Sequence, residues 1–222
     1  MHRRLTIGEA RWPETTEFSA IATCWNRNAS TVMLGFVWGG YERLCLDVLL
    51  HIDVALADEQ LERSITQILT PQIRNCMSGY EPFHIEQGVY EYETRVSASA
   101  QPPLYDLAFV LKANPRIMWP LEAKVLRTDG DVGRYVNEIT GNFLTCRYAP
   151  FFGEGAMLGY LMAGASAGVF GNIAIKTPCI LDDHPDFTSR NHKTSDHVRS
   201  VPADKPYPIN FRCHHMVMSL TP

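Results

Sequence analysis

The sequence lacks a net positive charge, a CxxC cysteine pair and any long uninterrupted apolar run. A formal net charge of -4 leaves no overall positive field to draw the chain onto nucleic acid, so a nucleic-acid surface would have to be a local basic patch. The six cysteines, Cys24, Cys45, Cys76, Cys146, Cys179 and Cys213, are scattered, several of them in apolar periodic segments, and read as reduced core thiols. The longest apolar region, residues 31–57, is broken by Glu42, Arg43, Asp47, His51 and Asp53, which excludes a bilayer span. The basic start is followed by Glu9, Arg11 and Glu14 in place of an apolar signal core, so the expected location is cytoplasmic. There is no internal repeat or low-complexity tract. Gly153-Glu154-Gly155 reads as a turn, because the Lys-Ser/Thr signature of a phosphate-binding loop is missing.

What is present is the composition of a folded domain: 222 residues, 45% hydrophobic and 20% charged, enough for one core with additions. Residues 1–57 form an N-terminal addition, within which Tyr41 to Leu56 is apolar enough for a buried strand or helix. From Asp58, the residues Leu61, Ile65, Ile68, Leu69, Ile73 and Met77 recur at helical spacing, predicting a helix over 58–77. Val89 to Val96 alternates as a strand does. Leu104 to Leu111 and Ile117 to Leu126 are apolar runs about an Asn114-Pro115 turn, predicting a β-hairpin. A second helix is expected over 132–147, where Val132, Tyr135, Val136, Ile139, Phe143 and Cys146 share a face and Arg134, Glu138 and Asn142 make a polar row. A strand over 157–162 and a small-residue helix or loop over 164–175 follow. Residues 178–208 read as an ordered loop or a mobile segment, and 209–220 as a last strand. The division is a core over 58–176 and a C-terminal loop and strand over 177–222, all in one α/β domain.

The chemistry sits in the hairpin. Asp106 interrupts one apolar strand, and Glu122 and Lys124 interrupt the other. Charge buried in such strands needs compensation, and metal binding is one form of it. Strand period places Glu122 and Lys124 on one face. Pairing about Asn114 and Pro115 brings Asp106 opposite them, one residue out of register, so a bulge or a slightly different turn must supply the shift. Asp106, Glu122 and the Ala123 carbonyl then offer hard oxygen ligands to Mg²⁺, with Mn²⁺ as a substitute. Lys124 is left to orient a water or to stabilise charge developing on phosphorus. The bland alternative is a cross-strand ion pair on a solvated strand face.

Asp106, the Glu122-Ala123-Lys124 tripeptide and the order helix, three strands, helix, strand over residues 58–162 resemble the PD-(D/E)XK nuclease superfamily, which includes restriction endonucleases and Holliday-junction enzymes. Tyr105 stands where proline often precedes the aspartate. The resemblance implies a restriction endonuclease-like core, Mg²⁺-dependent endonuclease action on DNA, and an acid from the preceding helix. Glu62 is the candidate for that acid, with Glu91 or Glu93 on the first strand as substitutes. It further suggests an anti-phage defence effector that works as a homodimer or with a partner protein. A catalytically inactive module that binds nucleic acid or a partner is the alternative.

Five of the eight histidines, His184, His192, His197, His214 and His215, fall in the last forty residues. Their spacing matches no zinc template, so loop and strand surfaces or local hydrogen bonds are the expectation, with a zinc enzyme as a third possibility. In a nuclease, Arg134, Arg190, His192, Lys193, His197 and Arg199 are candidate DNA contacts.

Overall fold

The computed structural model describes residues 16–44, 53–97 and 99–220; half of the apolar run Tyr41 to Leu56, residues 45–52, lies outside them. Helix α1 spans Thr16–Arg43 and α2 spans Asp58–Cys76. Strands β1 (Phe83–Tyr90), β2 (Leu104–Leu111) and β3 (Met118–Leu126) follow. Helix α3 (Gly133–Glu138) runs on into a π turn, Ile139–Phe143. Next come β4 (Glu154–Leu161), α4 (Ser166–Lys176), β5 (Asp182–Asp183), a 3-10 turn over Pro185–Phe187, β6 (His192–Val198) and β7 (Asn210–Ser219). The fold is α/β, with all seven strands in one mixed sheet ordered β1-β2-β3-β4-β7-β6-β5. Pairing is antiparallel from β1 to β3, parallel through β4 to β7, and antiparallel again to β6 and β5.

The helices cover both faces. Thr66 of α2 bonds the Tyr160 hydroxyl at 3.0 Å, whereas Tyr135 of α3 lies against Gly159. Neighbouring residues of a strand point to opposite faces, so α2 and α3 flank β4 on opposite sides. A central strand covered on both sides reads as continuously apolar. That is β3, buried along its whole length yet carrying Glu122 and Lys124. Helix α2 turns Leu61, Ile65, Leu69 and Ile73 inward. Helix α1 crosses it so closely that a Cβ on Gly40 would meet Ile73 backbone nitrogen at 2.8 Å.

Three expectations are corrected. The first strand is Phe83–Tyr90 and not 89–96, because the Gln87-Gly88 break in apolar alternation disguises a strand that pairs residue by residue with β2. The region 178–208 contains β6, whose polar side chains are bonded to β7 and its neighbours, so polarity here marks a hydrogen-bonded strand and not a loop. Glu154 and Gly155 open β4 and form no turn. Among the described residues no helix is long and apolar enough to cross a membrane, and Cys76, Cys146, Cys179 and Cys213 are free thiols.

Candidate active site at the opened β2–β3 edge

The hairpin loop fixes the register. Leu111 N–H donates to Ile117 O at 2.9 Å, which leaves Lys112 to Arg116 as a loop centred on Asn114 alone. Leu107 then pairs with Leu121 and Ala108 with Pro120. Continued one step, this register sets Asp106 opposite Glu122 and on its face, so the required one-residue shift comes from the odd loop and no bulge is involved.

At that step the ladder opens. Asp106 N–H donates to Glu122 Oε1 (3.2 Å), and Ala123 N–H donates to Asp106 Oδ2 (2.9 Å). Side-chain carboxylates thus replace backbone carbonyls as acceptors, and the strands splay around them. On the other edge of β2, Gly88 faces Asp106 by the register of Gln87 with Leu107 and Val89 with Tyr105. Its φ of +67° is one that glycine alone adopts freely.

Lys124 Nζ lies at the centre. It donates to the Ala123 carbonyl at 2.7 Å and to Glu62 Oε1 at 3.2 Å, with Asp106 Oδ2, Glu138 Oε1 and Glu122 Oε2 at 3.6, 3.6 and 3.7 Å. Four carboxylates from α2, β2, β3 and α3 therefore surround one ammonium. Burial, and then repulsion from Asp106, pushes the Glu122 carboxyl well above its usual range. Burial raises Glu62 too, although Lys124 opposes it. Burial alone would lower Lys124, but Glu122, Asp106, Glu62 and Glu138 together hold it protonated. The cleft in front has a volume of about 730 Å³, with Arg63, Gln67, Gln87, Arg134 and Tyr148 on its walls.

The structure brings Asp106, Glu122, Ala123, Lys124 and Glu62 together and keeps Arg134 at the rim, paired with Asp58 at 3.2 Å and with Glu62 at 3.7 Å. It does not bring the other candidates there. Glu91 accepts the Tyr105 hydroxyl at 2.8 Å, and Glu93 holds Arg116 and Lys205. Arg190 pairs with Glu42 and Lys193 with Asp183, while His197 bonds Ser195. Lys193 and His197 belong to β6, three strands from β3, or roughly 14 Å at about 4.8 Å per strand. His192 and Arg199 are buried; Arg199 donates to the carbonyls of Phe143, Tyr148, Ala149 and Phe152. Of the two expectations for the histidines, surface placement fails for His184, His192, His214 and His215, which are all buried, and hydrogen bonding describes them, His184 with the Asp186 N–H, His192 with His214 and His215 with Ser195.

Glu138 was the residue missed as a partner of Lys124. Its only sequence signal was the polar row with Arg134 and Asn142, which fits a solvated face equally well. Comparison with protein-family models, with curated proteins and with solved structures returns no match.

Proposed function

We propose that the chain is a divalent-cation-dependent endonuclease acting on DNA, built on a restriction endonuclease-like core. The observation that carries this reading is the convergence of Asp106, Glu122 and the Ala123 carbonyl on Lys124 Nζ at a deliberately opened strand edge. The donor set fits Mg²⁺ or Mn²⁺, because every group is a hard oxygen and four carboxylates share a single ammonium that already sits among them as a stand-in cation. Bound by Asp106, Glu122 and the Ala123 carbonyl, Mg²⁺ would supply Lewis acidity toward a phosphoryl oxygen and lower the pKa of water.

The chain's own groups do the rest. The bonds between Asp106 and the Ala123 N–H, and between Glu122 and the Asp106 N–H, lock both carboxylates before any ligand arrives, which is preorganisation of the kind electrostatic catalysis needs. Lys124, kept protonated by Glu122, Asp106, Glu62 and Glu138, is a donor for the attacking water or for a non-bridging phosphate oxygen. Arg134 and the exposed Arg63 line the cleft and offer phosphate contacts. With so few cations there and a net charge of -4, target engagement rests on a partner protein or a second copy.

The test is cleavage of plasmid and linear DNA by the full chain with Mg²⁺, Mn²⁺ or EDTA, beside Asp106→Asn and Lys124→Ala. Metal-dependent cleavage that falls roughly 100-fold or more in both variants is the expected result. Cleavage that persists in Asp106→Asn overturns this site as its source, and failure of every cation to elicit cleavage overturns the reading in favour of a binding module.

A further inference from the structure

A second cluster lies on the other face of the sheet. Ala123 is in register with Leu158, Leu158 with Met216 and Met216 with His192, so His192 and its same-face neighbour His214 point away from the Glu122 and Lys124 side. His184, just before the 3-10 turn, completes a buried trio in which one nitrogen from each ring lies within 4.8 Å of the others. We propose that His184, His192 and His214 form a metal site, separate from the carboxylate cleft, that takes Zn²⁺ or a similar borderline transition ion, and that filling it releases Trp38 of α1 from His192.

The spacing has the right scale. His192 Nε2 and His214 Nδ1 are 3.3 Å apart, and two nitrogens on a tetrahedral ion at about 2.05 Å are separated by roughly 3.3 Å. The surroundings are dry and aromatic: Phe187 stacks on His192 at 5.1 Å, and Trp119 lies 6.0 Å from His214. For His214 the outer shell is in place as well. His214 Nε2 and Glu154 Oε2 are both buried without a hydrogen-bond partner and face one another at 3.6 Å. An ion on His214 Nδ1 would fix the ring's proton on Nε2, aimed at that carboxylate, which is the usual carboxylate–histidine–metal arrangement. Imidazole nitrogens favour Zn²⁺, whereas the all-oxygen cleft favours Mg²⁺, so the two sites sort their ions by chemistry.

The coupling to α1 comes from tautomers. Trp38 Nε1–H donates to His192 Nδ1 at 3.1 Å, and Asp186 N–H donates to His184 Nδ1 at 3.2 Å. Indole and amide nitrogens only donate, so in the metal-free protein both rings carry their proton on Nε2. An ion bound through Nε2 moves that proton to Nδ1, where it confronts another N–H. Two neutral hydrogen bonds are exchanged for metal bonds, and the Trp38 indole must turn aside.

The experiment uses the full chain, stripped with a chelator and titrated with Zn²⁺ and separately with Co²⁺ under excess Mg²⁺. Expected are one equivalent bound, a visible Co²⁺ absorption band, and a Zn²⁺-induced tryptophan fluorescence change that is reduced in Trp38→Phe, the remainder coming from Trp119 beside His214. His184→Asn and His214→Asn should each weaken binding 100-fold or more. Asn at 184 keeps a side-chain acceptor for the Asp186 N–H, so that variant should stay folded, as circular dichroism will verify. No uptake by the wild type, or unchanged uptake in a folded His184→Asn, overturns the proposal. DNA cleavage does not enter the readout, so the nuclease reading stands or falls separately.

Discussion

Glu62 and Lys124 meet at 3.2 Å although 62 positions separate them, and the second Glu62 oxygen accepts the Val125 N–H at 3.2 Å. Helix α2 is thereby tied to the C-terminal end of β3 by a buried ion pair. Lys124 is also the main countercharge for Asp106, Glu122 and Glu138. Replacing it by methionine, of similar length, leaves four carboxylates facing each other, and breaking a buried pair in this way costs about 3 kcal/mol or more. The expected result is a lower melting temperature without divalent cations and a larger rise on adding Mg²⁺ than the wild type shows. Equal Mg²⁺ shifts in the two proteins would mean that no cation takes the vacated place.

Glu122 should behave in the opposite way. Its carboxyl is raised well above the usual range by burial and by Asp106, so its ionised form opposes folding at neutral pH. Glu122→Gln removes that charge and keeps an acceptor for the Asp106 N–H. The fold should gain stability in chelator, while cation-dependent cleavage is lost. Urea denaturation in EDTA checks the first half; a destabilised variant would contradict the electrostatic account.

How much of this was legible in the sequence follows from the range of each interaction. Helix α2 was readable because its apolar spacing is local, and the shared face of Glu122 and Lys124 followed from strand period. The side on which Asp106 falls depended on whether the hairpin loop holds an odd or even number of residues, and Asn114-Pro115 suggested a two-residue centre where Asn114 alone is the centre. Strand β6 was invisible because His192, Thr194 and Ser195 are polar residues buried by partners at least 20 residues away, such as His214 and His215. The likeness to a nuclease core came from three side chains and an element order, neither of which reports that Glu138 on α3 closes the ring around Lys124.

Glu91 gives a pH dependence free of any ligand. Burial lifts its carboxyl from the ordinary 4.5 to about 7. The folded pKa therefore exceeds the unfolded one, so the group's contribution is complete below about pH 4.5 and is lost as pH rises toward 7. At about 1.4 kcal/mol per unit the loss is on the order of 3 kcal/mol. Glu91→Gln, which resembles the protonated form, should flatten stability across that window when urea midpoints are compared at pH 4.5, 5.5 and 7. Parallel profiles for both proteins would show that Glu91 ionises normally.

Arg190 and Lys193, expected from sequence on the DNA path, are engaged by Glu42 and Asp183, and neither lines the cleft. Reversing both charges should leave DNA affinity and its salt slope within about twofold, because removing a cation that neutralises a phosphate lowers that slope by roughly one. Reversal at Arg134, at the cleft rim, should lower both.

Arg199 stands in the same polar stretch and serves a different end. It is 3% exposed, and its guanidinium satisfies the carbonyls of Phe143, Tyr148, Ala149 and Phe152 while lying 4.4 Å over the Phe211 ring. Those carbonyls belong to the π turn and the link into β4, where the helical ladder has ended; Phe143 O and Ala149 O also accept the Cys146 and Phe152 N–H groups at 3.2 and 3.1 Å, so the guanidinium adds to the turns that close this link. Methionine at 199 would retain apolar bulk but take one donor from each of the four carbonyls, at about 1 to 3 kcal/mol for each that is then left without a partner and that water cannot reach. The variant should therefore lose about 3 kcal/mol or more, and lysine, a single point donor, should recover only part of it. Denaturant midpoints of Arg199→Met and Arg199→Lys measure this directly. A loss below about 1 kcal/mol in the methionine variant would show that water replaces the guanidinium and that the link into β4 does not depend on it.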